Sequence, residues 1–154
     1  MSEVNYSNEI LTTLQTRLNL NENQLKNYLQ QIINDLNKPF IPISIFSHKL
    51  TPLESIVKYL KEEQNLTFHE ISKLLKRNEK NLWHTYYNAK KKYPSKFKVY
   101  NTDLQISLDI FSNKIPPMKT IVKYLREQKS LSYHDIGLLL KKNERTIWTS
   151  YNRK

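Results

Sequence analysis

Two short segments of this chain place a histidine beside a carboxylate, an arrangement that could serve acid–base catalysis or metal binding. His69 precedes Glu70, and His134 precedes Asp135. A protein metal site takes three or four ligands, and neither pair has a further ligand at helical spacing. The chain has no cysteine and a single glycine, so thiolate chemistry, cysteine zinc sites and a glycine-rich phosphate loop are missing. We therefore expect no catalytic residue, no metal and no cofactor: the protein is not an enzyme.

The net charge of +11 is unevenly distributed along the chain. Residues 1–44 carry three basic and four acidic side chains, whereas residues 45–100 carry twelve and five, and residues 101–154 carry ten and five. Basic excess confined to one part of a protein favours a polyanionic partner, because neutralised phosphates release counterions. The alternative is compositional bias, since the chain is also rich in Lys, Asn and Ile, as proteins of AT-rich genomes are.

One stretch of the sequence occurs twice. Residues 45–86 align without a gap on residues 110–151, at a constant offset of 65, and 21 of the 42 positions are identical. Similarity at a fixed long period indicates that one folded unit was duplicated. The unit is too long for a solenoid repeat, so we interpret the chain as a dimer made of one polypeptide. We call residues 45–86 the first repeat and residues 110–151 the second repeat.

The composition and apolar spacing predict helices before the repeats. A first helix is expected over residues 7–18, and Asn21 starts a second one with Gln24 completing a capping box. The second helix stops before Pro39 and carries an apolar stripe that needs a partner. This hairpin either docks on the repeats or mediates self-association. The stripe consists of Leu25, Tyr28, Leu29, Ile32, Ile33 and Leu36.

Residues 41–47 and 105–112 alternate apolar and polar side chains and are short enough to be single strands. A lone strand is not stable. Because the two segments are equivalent parts of the repeats, we suggest that they pair about a pseudo-twofold axis. Extended linkers are the alternative.

Three helices are predicted in each repeat from their start signals and apolar spacing. In the first repeat Thr51, Thr67 and Asn78 are the expected N-caps, with Glu54 and Glu70 three residues after the first two. Ser132 and Asn143 repeat the last two caps in the second repeat. The residues expected to face the core are Ile56, Val57, Leu60, Ile71, Leu74 and Leu75.

The segment 66–92 resembles the helix-turn-helix in region 4 of bacterial sigma factors and in related response-regulator domains. The residues in register are Leu66, Thr67, Phe68, Glu70, Ile71, Leu75, Glu79, Leu82, Ala89 and Lys90 to Lys92. In the second repeat they are Leu131, Ser132, Tyr133, Asp135, Ile136, Leu140, Glu144, Thr146 and Ile147. The chain lacks the other sigma-factor regions, so the resemblance does not make it a sigma factor.

Near the turn, the sequence matches the pattern of the family at one position and departs from it at another. The fifth residue of such a motif must be small because two helices cross there, and it is Ser72 or Gly137, the only glycine. The family usually has glycine in the turn itself, where this chain has Lys76 and Lys141. We therefore expect a longer or looser turn.

The resemblance implies that the third helix of each repeat enters the major groove of DNA and reads base edges. It assigns this role to Glu79, Lys80, Trp83, His84 and Tyr87, and in the second repeat to Glu144, Arg145, Trp148, Thr149 and Asn152. Phosphate contacts fall to Lys90, Lys91, Lys92, Arg153 and Lys154 at the helix ends, and to Thr67, His69, Ser132 and His134 at the second helices.

Four aromatic residues on these third helices need a separate interpretation. Trp83 and Trp148 each follow a residue of the apolar stripe, so we favour partly buried packing over a base contact for both. Tyr86 and Tyr151 are expected in the core.

These patterns predict a mainly all-α protein with two tandem tri-helical helix-turn-helix bundles and an N-terminal helical hairpin, with or without two short pairing strands. The expected divisions are 1–39 for the hairpin, 40–92 and 105–154 for the repeats, and 93–104 for a basic linker. We expect sequence-specific binding of double-stranded DNA at two unequal half-sites by a transcriptional regulator.

The alternatives to a regulator are a replication, segregation or architectural DNA-binding factor, and a protein–protein adaptor of the transcription machinery. RNA polymerase or another transcription protein is a further expected partner. No apolar run is long enough for a transmembrane span and no signal peptide is evident, so we expect no membrane and a cytoplasmic protein. It is a monomer acting as a pseudo-dimer, or a homodimer through residues 1–39.

Overall fold

The computed structural model of the chain describes residues 2–37, 39–100 and 104–153 and is mainly helical, with one two-stranded sheet among these residues. The chain divides into two compact units, residues 1–38 and 39–154. None of the described helices combines the length and apolar character needed to cross a bilayer. The helices are α1 Ser2–Leu18, α2 Glu22–Leu36, α3 Pro52–Glu62, α4 Phe68–Leu75, α5 Glu79–Lys92, α6 Pro117–Glu127, α7 Tyr133–Leu140 and α8 Glu144–Asn152.

The N-terminal unit contains α1 and α2, which contact each other. The predicted capping box is confirmed: the Asn21 amide donates to Gln24 Oε1 at 2.9 Å, and the Gln24 amide donates to Asn21 Oδ1 at 2.9 Å. Helix α1 begins at Ser2, five residues before the predicted start. On α2 the apolar stripe is buried at Leu25 and exposed along much of its remaining length, up to 75% at Leu36.

The second unit contains the only strands of the described residues, β1 (Phe40–Pro42) and β2 (Gln105–Ser107). They pair antiparallel with Ile41 opposite Ile106. These two residues are equivalent positions of the duplication, so the register is symmetric about a pseudo-twofold axis. The flanking bonds obey the same symmetry, since the Ile43 amide donates to the Leu104 carbonyl and the Leu108 amide to the Pro39 carbonyl. The predicted pairing is confirmed.

The predicted length of the strands is wrong. Each strand has three residues and continues into a 3-10 helix, Ile43–Ser47 or Leu108–Phe111. The buried pairs Ile43 with Phe46 and Leu108 with Phe111 are three residues apart, which is the 3-10 period. The alternating sequence suggested a longer strand because a period of two and a period of three look alike over so few residues.

These 3-10 helices join the two repeats into one core. The first contacts α7 of the second repeat, and the second contacts α4 of the first, so each repeat packs a segment of the other. Phe46 and Phe111, which are equivalent residues, face each other with ring centroids 6.3 Å apart. Helices α3 and α6 also touch. The repeats therefore share one hydrophobic core.

Within each repeat the three helices contact one another pairwise, α3 with α4 and α5, and α6 with α7 and α8. The predicted capping boxes form at Thr51, Thr67 and Ser132, and Asn78 and Asn143 cap α5 and α8. The second repeat has no side-chain cap on α6, whose N-cap is Pro116. Of the predicted core residues, Ile56, Val57, Leu60, Ile71 and Leu75 are buried and Leu74 is partly buried.

Candidate nucleic-acid interface

Short turns join α4 to α5 and α7 to α8. Three residues separate the helices in both cases, and Lys76 and Lys141 adopt the left-handed conformation, with φ of 51° and 52°. The amides of the next residues, Arg77 and Lys142, donate back to the carbonyls of Ser72 and Gly137. The expectation of a looser turn is therefore wrong: lysine takes the left-handed position at a cost of about 1–2 kcal/mol.

Gly137 in α7 is the predicted small residue, and it permits the backbone at the start of α8 to approach closely. A Cβ atom on Gly137 would lie 2.8 Å from the Lys142 carbonyl oxygen and 3.6 Å from the Glu144 amide nitrogen, at the start of α8. In the first repeat the Ser72 hydroxyl donates to the equivalent Arg77 carbonyl at 2.6 Å. Both residues thus fix where the following helix begins.

Helices α5 and α8 turn one face to the core and another to solvent. Leu82, Tyr86, Ala89 and Ile147 are buried. Every residue that the sequence assigned to base reading is exposed, and the helical period places the five residues of each helix on one face. They are Glu79, Lys80, Trp83, His84 and Tyr87 on α5, and Glu144, Arg145, Trp148, Thr149 and Asn152 on α8.

Partly buried packing was predicted for the two tryptophans, and both keep about half of their surface exposed. Trp83 is 44% exposed and Trp148 is 54% exposed. Leu82 and Tyr86 already fill the inner face of α5, where Phe68 meets the Tyr86 ring at 5.7 Å. The next side chain points about 100° further around the helix axis. Trp83 lies instead against Tyr87 on the exposed face, with ring centroids 4.2 Å apart.

In each repeat a histidine and a glutamate connect the N-terminal ends of two helices, α4 and α5 in the first repeat and α7 and α8 in the second. Nδ1 of His69 lies 3.4 Å from Oε2 of Glu79, and Nδ1 of His134 lies 3.6 Å from Oε2 of Glu144. All four side chains are more than half exposed. Each pair is an ion pair only when the imidazole is protonated, and it places a phosphate-contact candidate beside a base-reading candidate.

The hydroxyls of Thr67 and Ser132 are engaged within their own capping boxes. They donate to the carboxylates of Glu70 at 2.8 Å and Asp135 at 2.5 Å. The backbone and side-chain bonds from the caps hold the pKa of each carboxyl below its ordinary value.

The basic residues at the end of α5 differ in their partners. Lys90 Nζ donates to the Tyr86 hydroxyl at 3.3 Å and lies 4.0 Å from Glu62, and the Tyr86 bond raises the pKa of this lysine. Lys92 bridges to Glu54 at 2.7 Å. Lys91 is exposed, as is Arg153 at the end of α8, whereas Lys154 lies outside the described residues.

The resemblance to sigma region 4 assigned no role to two exposed side chains of α5, Asn81 and Asn88. Asn81 lies in the first turn of the helix, three residues before His84. Helical spacing from His84 was the signal that could have identified it, since residues three apart share a face.

Within residues 2–37, 39–100 and 104–153, no group of three or more His, Asp or Glu side chains is placed to hold a metal ion. Comparison with protein-family models, with curated proteins and with solved structures gives no match.

Proposed function

We propose that this protein is a non-enzymatic, sequence-specific DNA-binding protein of the cytoplasm that regulates transcription. Its two helix-turn-helix units read two related but unequal half-sites of double-stranded DNA. The observation that carries the proposal is the exposure of all ten candidate base-reading residues on α5 and α8. A helix that carries polar and basic residues on its solvent face, near a capped N-terminus, suits the major groove.

The symmetry of the second unit supports two half-sites rather than one. The register of β1 and β2 relates the repeats by a pseudo-twofold axis, and DNA half-sites reflect the symmetry of the protein that reads them. Half-sites on one side of the duplex would lie about 34 Å apart. The repeats differ at Lys80 against Arg145, at His84 against Thr149 and at Tyr87 against Asn152, so the half-sites should be unequal.

Selection of bound sequences from a random DNA pool tests this proposal. The expected result is a site with two related halves, whose binding weakens steeply between about 50 and about 200 mM salt. A single contact of about five base pairs in a footprint would contradict the two-headed arrangement. Salt-insensitive association with RNA polymerase, without any shift of DNA, would favour the adaptor function instead.

Two matched substitutions separate the contributions of the repeats. Arg145→Ala should cost about 1–3 kcal/mol and relax specificity in one half-site, because arginine binds guanine in a bidentate way. Lys80→Ala, at the equivalent position, should act on the other half-site alone. Binding measured on DNA with each half-site scrambled in turn distinguishes them. Equal loss at both half-sites for either variant would mean that the repeats are not separate readers.

The other functions and the oligomeric states that the sequence left open are distinguished by the same experiments. A selected site that occurs at replication origins, with binding that bends DNA, would favour the replication, segregation or architectural function. The oligomeric state of the DNA-bound protein decides between a monomeric pseudo-dimer and a homodimer. We propose α2 as the contact in a homodimer because its apolar stripe is exposed at Tyr28, Ile33 and Leu36.

A further inference from the structure

The segment that follows α5 folds back onto the first repeat through two aromatic side chains. Tyr93 and Phe97 stack with an interplanar angle of 19° and ring centroids 5.6 Å apart. Their rings lie 4.6 Å and 5.3 Å from the imidazole of His48. Phe97 is 6% exposed. The sequence predicted a basic linker here, but its aromatic residues pack against the first repeat.

These rings cover the ammonium group of Lys58, a residue of α3. Nζ of Lys58 lies 5.9 Å from the ring centre of Tyr93 and 5.7 Å from that of Phe97, within the range of cation–π attraction. Glu62 accepts a hydrogen bond from the same Nζ at 2.5 Å. Lys58 is completely buried because the two rings and the carboxylate replace its water.

The second repeat has an open groove at the equivalent place. Lys123, the counterpart of Lys58, is exposed, and Ile115 is 38% exposed where its counterpart Leu50 is 5% exposed. The groove has a volume of about 230 Å³. The described residues leave open this groove, which is lined by Ile110, Asn113, Ile115, Thr120, Lys123, Tyr124, Glu127 and Gln128.

We propose that this groove binds a segment of a partner protein that carries two aromatic side chains four residues apart. The occupant is inferred from the first repeat, where Tyr93 and Phe97 have that spacing and fill the equivalent space. Lys123 and Glu127 are the same residue types as their counterparts Lys58 and Glu62, so an ammonium group is present in the groove to face the aromatic rings of the partner.

The charge beside the groove indicates which type of residue the partner carries next to its first aromatic side chain. In the first repeat Lys92, which precedes Tyr93, bridges to Glu54 at 2.7 Å. The counterpart of Glu54 is Lys119, whose ammonium donates to the neutral backbone carbonyl of Arg153. The charge at this position is thus reversed. The residue before the first aromatic side chain of the partner is therefore acidic.

A labelled peptide of residues 90–100 that carries Lys92→Glu tests the proposal by titration with the full chain. We expect saturable binding of one peptide per chain, several-fold tighter than for the peptide that keeps Lys92. The peptide with Tyr93→Ala and Phe97→Ala should bind at least about tenfold more weakly, because the anchors of an interface carry most of its affinity.

Two protein variants locate the site. Ile115→Asp, at the rim of the groove, should weaken the peptide at least about tenfold, since it places a charge where an aromatic ring would pack. Leu138→Asp is the matched control, because Leu138 is 67% exposed on α7 and does not line the groove. It should leave peptide binding unchanged. Circular dichroism establishes that both variants are folded.

Three results of the binding experiments would overturn the proposal. They are no saturation at about 1 mM peptide, equal affinity for the aromatic-free peptide, and equal loss in Ile115→Asp and Leu138→Asp. A chain that dimerises in sedimentation, and becomes monomeric with Ile115→Asp, would assign the groove to a second copy instead. DNA binding is measured on the same samples, so this inference and the proposed function can fail separately.

Discussion

The two repeats share a helical core, but the layer around it differs. Both bury equivalent residues on all three helices and hold a left-handed lysine in the same turn. The first repeat adds a capping box at Thr51 and the aromatic cover over Lys58. The second begins α6 at Pro116 without a side-chain cap and leaves Lys123 exposed. Lys58 and Lys123 are equivalent residues, yet the first is buried and the second exposed, because the aromatic residues that cover Lys58 lie outside the duplicated helices.

The contrast between Lys58 and Lys123 predicts the largest effect. Lys58→Ala should destabilise the protein by up to about 3–5 kcal/mol, because it removes the cation hydrogen-bonded to the largely buried Glu62 carboxylate and leaves Lys90, 4.0 Å away, as the cation beside it. Lys123→Ala should change stability by no more than about 0.5 kcal/mol, since the side chain is exposed. Urea unfolding followed by circular dichroism measures both. Similar midpoints for the two variants would remove the difference between the repeats.

The exposed faces of α5 and α8 can be made alike. In a chain with Lys80→Arg, His84→Thr and Tyr87→Asn, the first repeat acquires the residues that the second has at these three positions. We expect selection from a random DNA pool to yield two identical half-sites, with a preference changed by about 1–3 kcal/mol per altered base pair. All three positions are exposed, so folding should be unaffected. A site that stays asymmetric would show that other residues set the preference.

The residue at the helix crossing distinguishes the repeats on a smaller scale. Gly137→Ala should destabilise by about 1–2 kcal/mol, because the new Cβ meets the Lys142 carbonyl and overpacking costs more than the gain in helix propensity. Ser72→Ala should cost about 1 kcal/mol through loss of the bond to Arg77. Thermal unfolding compares them, with Leu138→Ala as an exposed control on the same helix as Gly137. A stabilised Gly137→Ala variant would refute the close approach.

Acid should weaken the first repeat through Glu54, and this effect is the smallest of the four. Burial opposes ionisation of Glu54, but hydrogen bonds from Lys92 and Thr51 outweigh it and hold its pKa below the ordinary 4.5. The stabilisation is present above pH 4.5 and is lost as the pH falls through the lowered pKa.

Glu54→Gln tests this pH dependence. The variant should be less stable than the parent at pH 7 and should lose less stability on acidification. Unfolding measured at pH values from 7 downwards gives the comparison. Lys119→Gln is the control, because the second repeat has no carboxyl at this position. An unchanged pH slope in Glu54→Gln would disprove the contribution of Glu54.

Local signals predicted the helices and their caps well. Thr67 with Glu70, and Ser132 with Asp135, form capping boxes because the bonds join residues three apart. The strand lengths, the turn conformation at Lys76 and the exposure of Trp83 were not predictable in this way. Each depends on which neighbour occupies the space beside the residue, and those neighbours come from distant parts of the chain.

The sequence by itself determined the duplication, the helical class, the capped helix starts and the buried stripe of each helix, because these follow from local spacing and composition. Only the tertiary structure decided that the 3-10 helices cross between repeats, that each strand is three residues long, and that Lys58 is buried while Lys123 is not. The physical reason is that burial and pairing depend on residues far apart in the chain. Two similar stretches of sequence do not by themselves specify which distant residues will pack beside them.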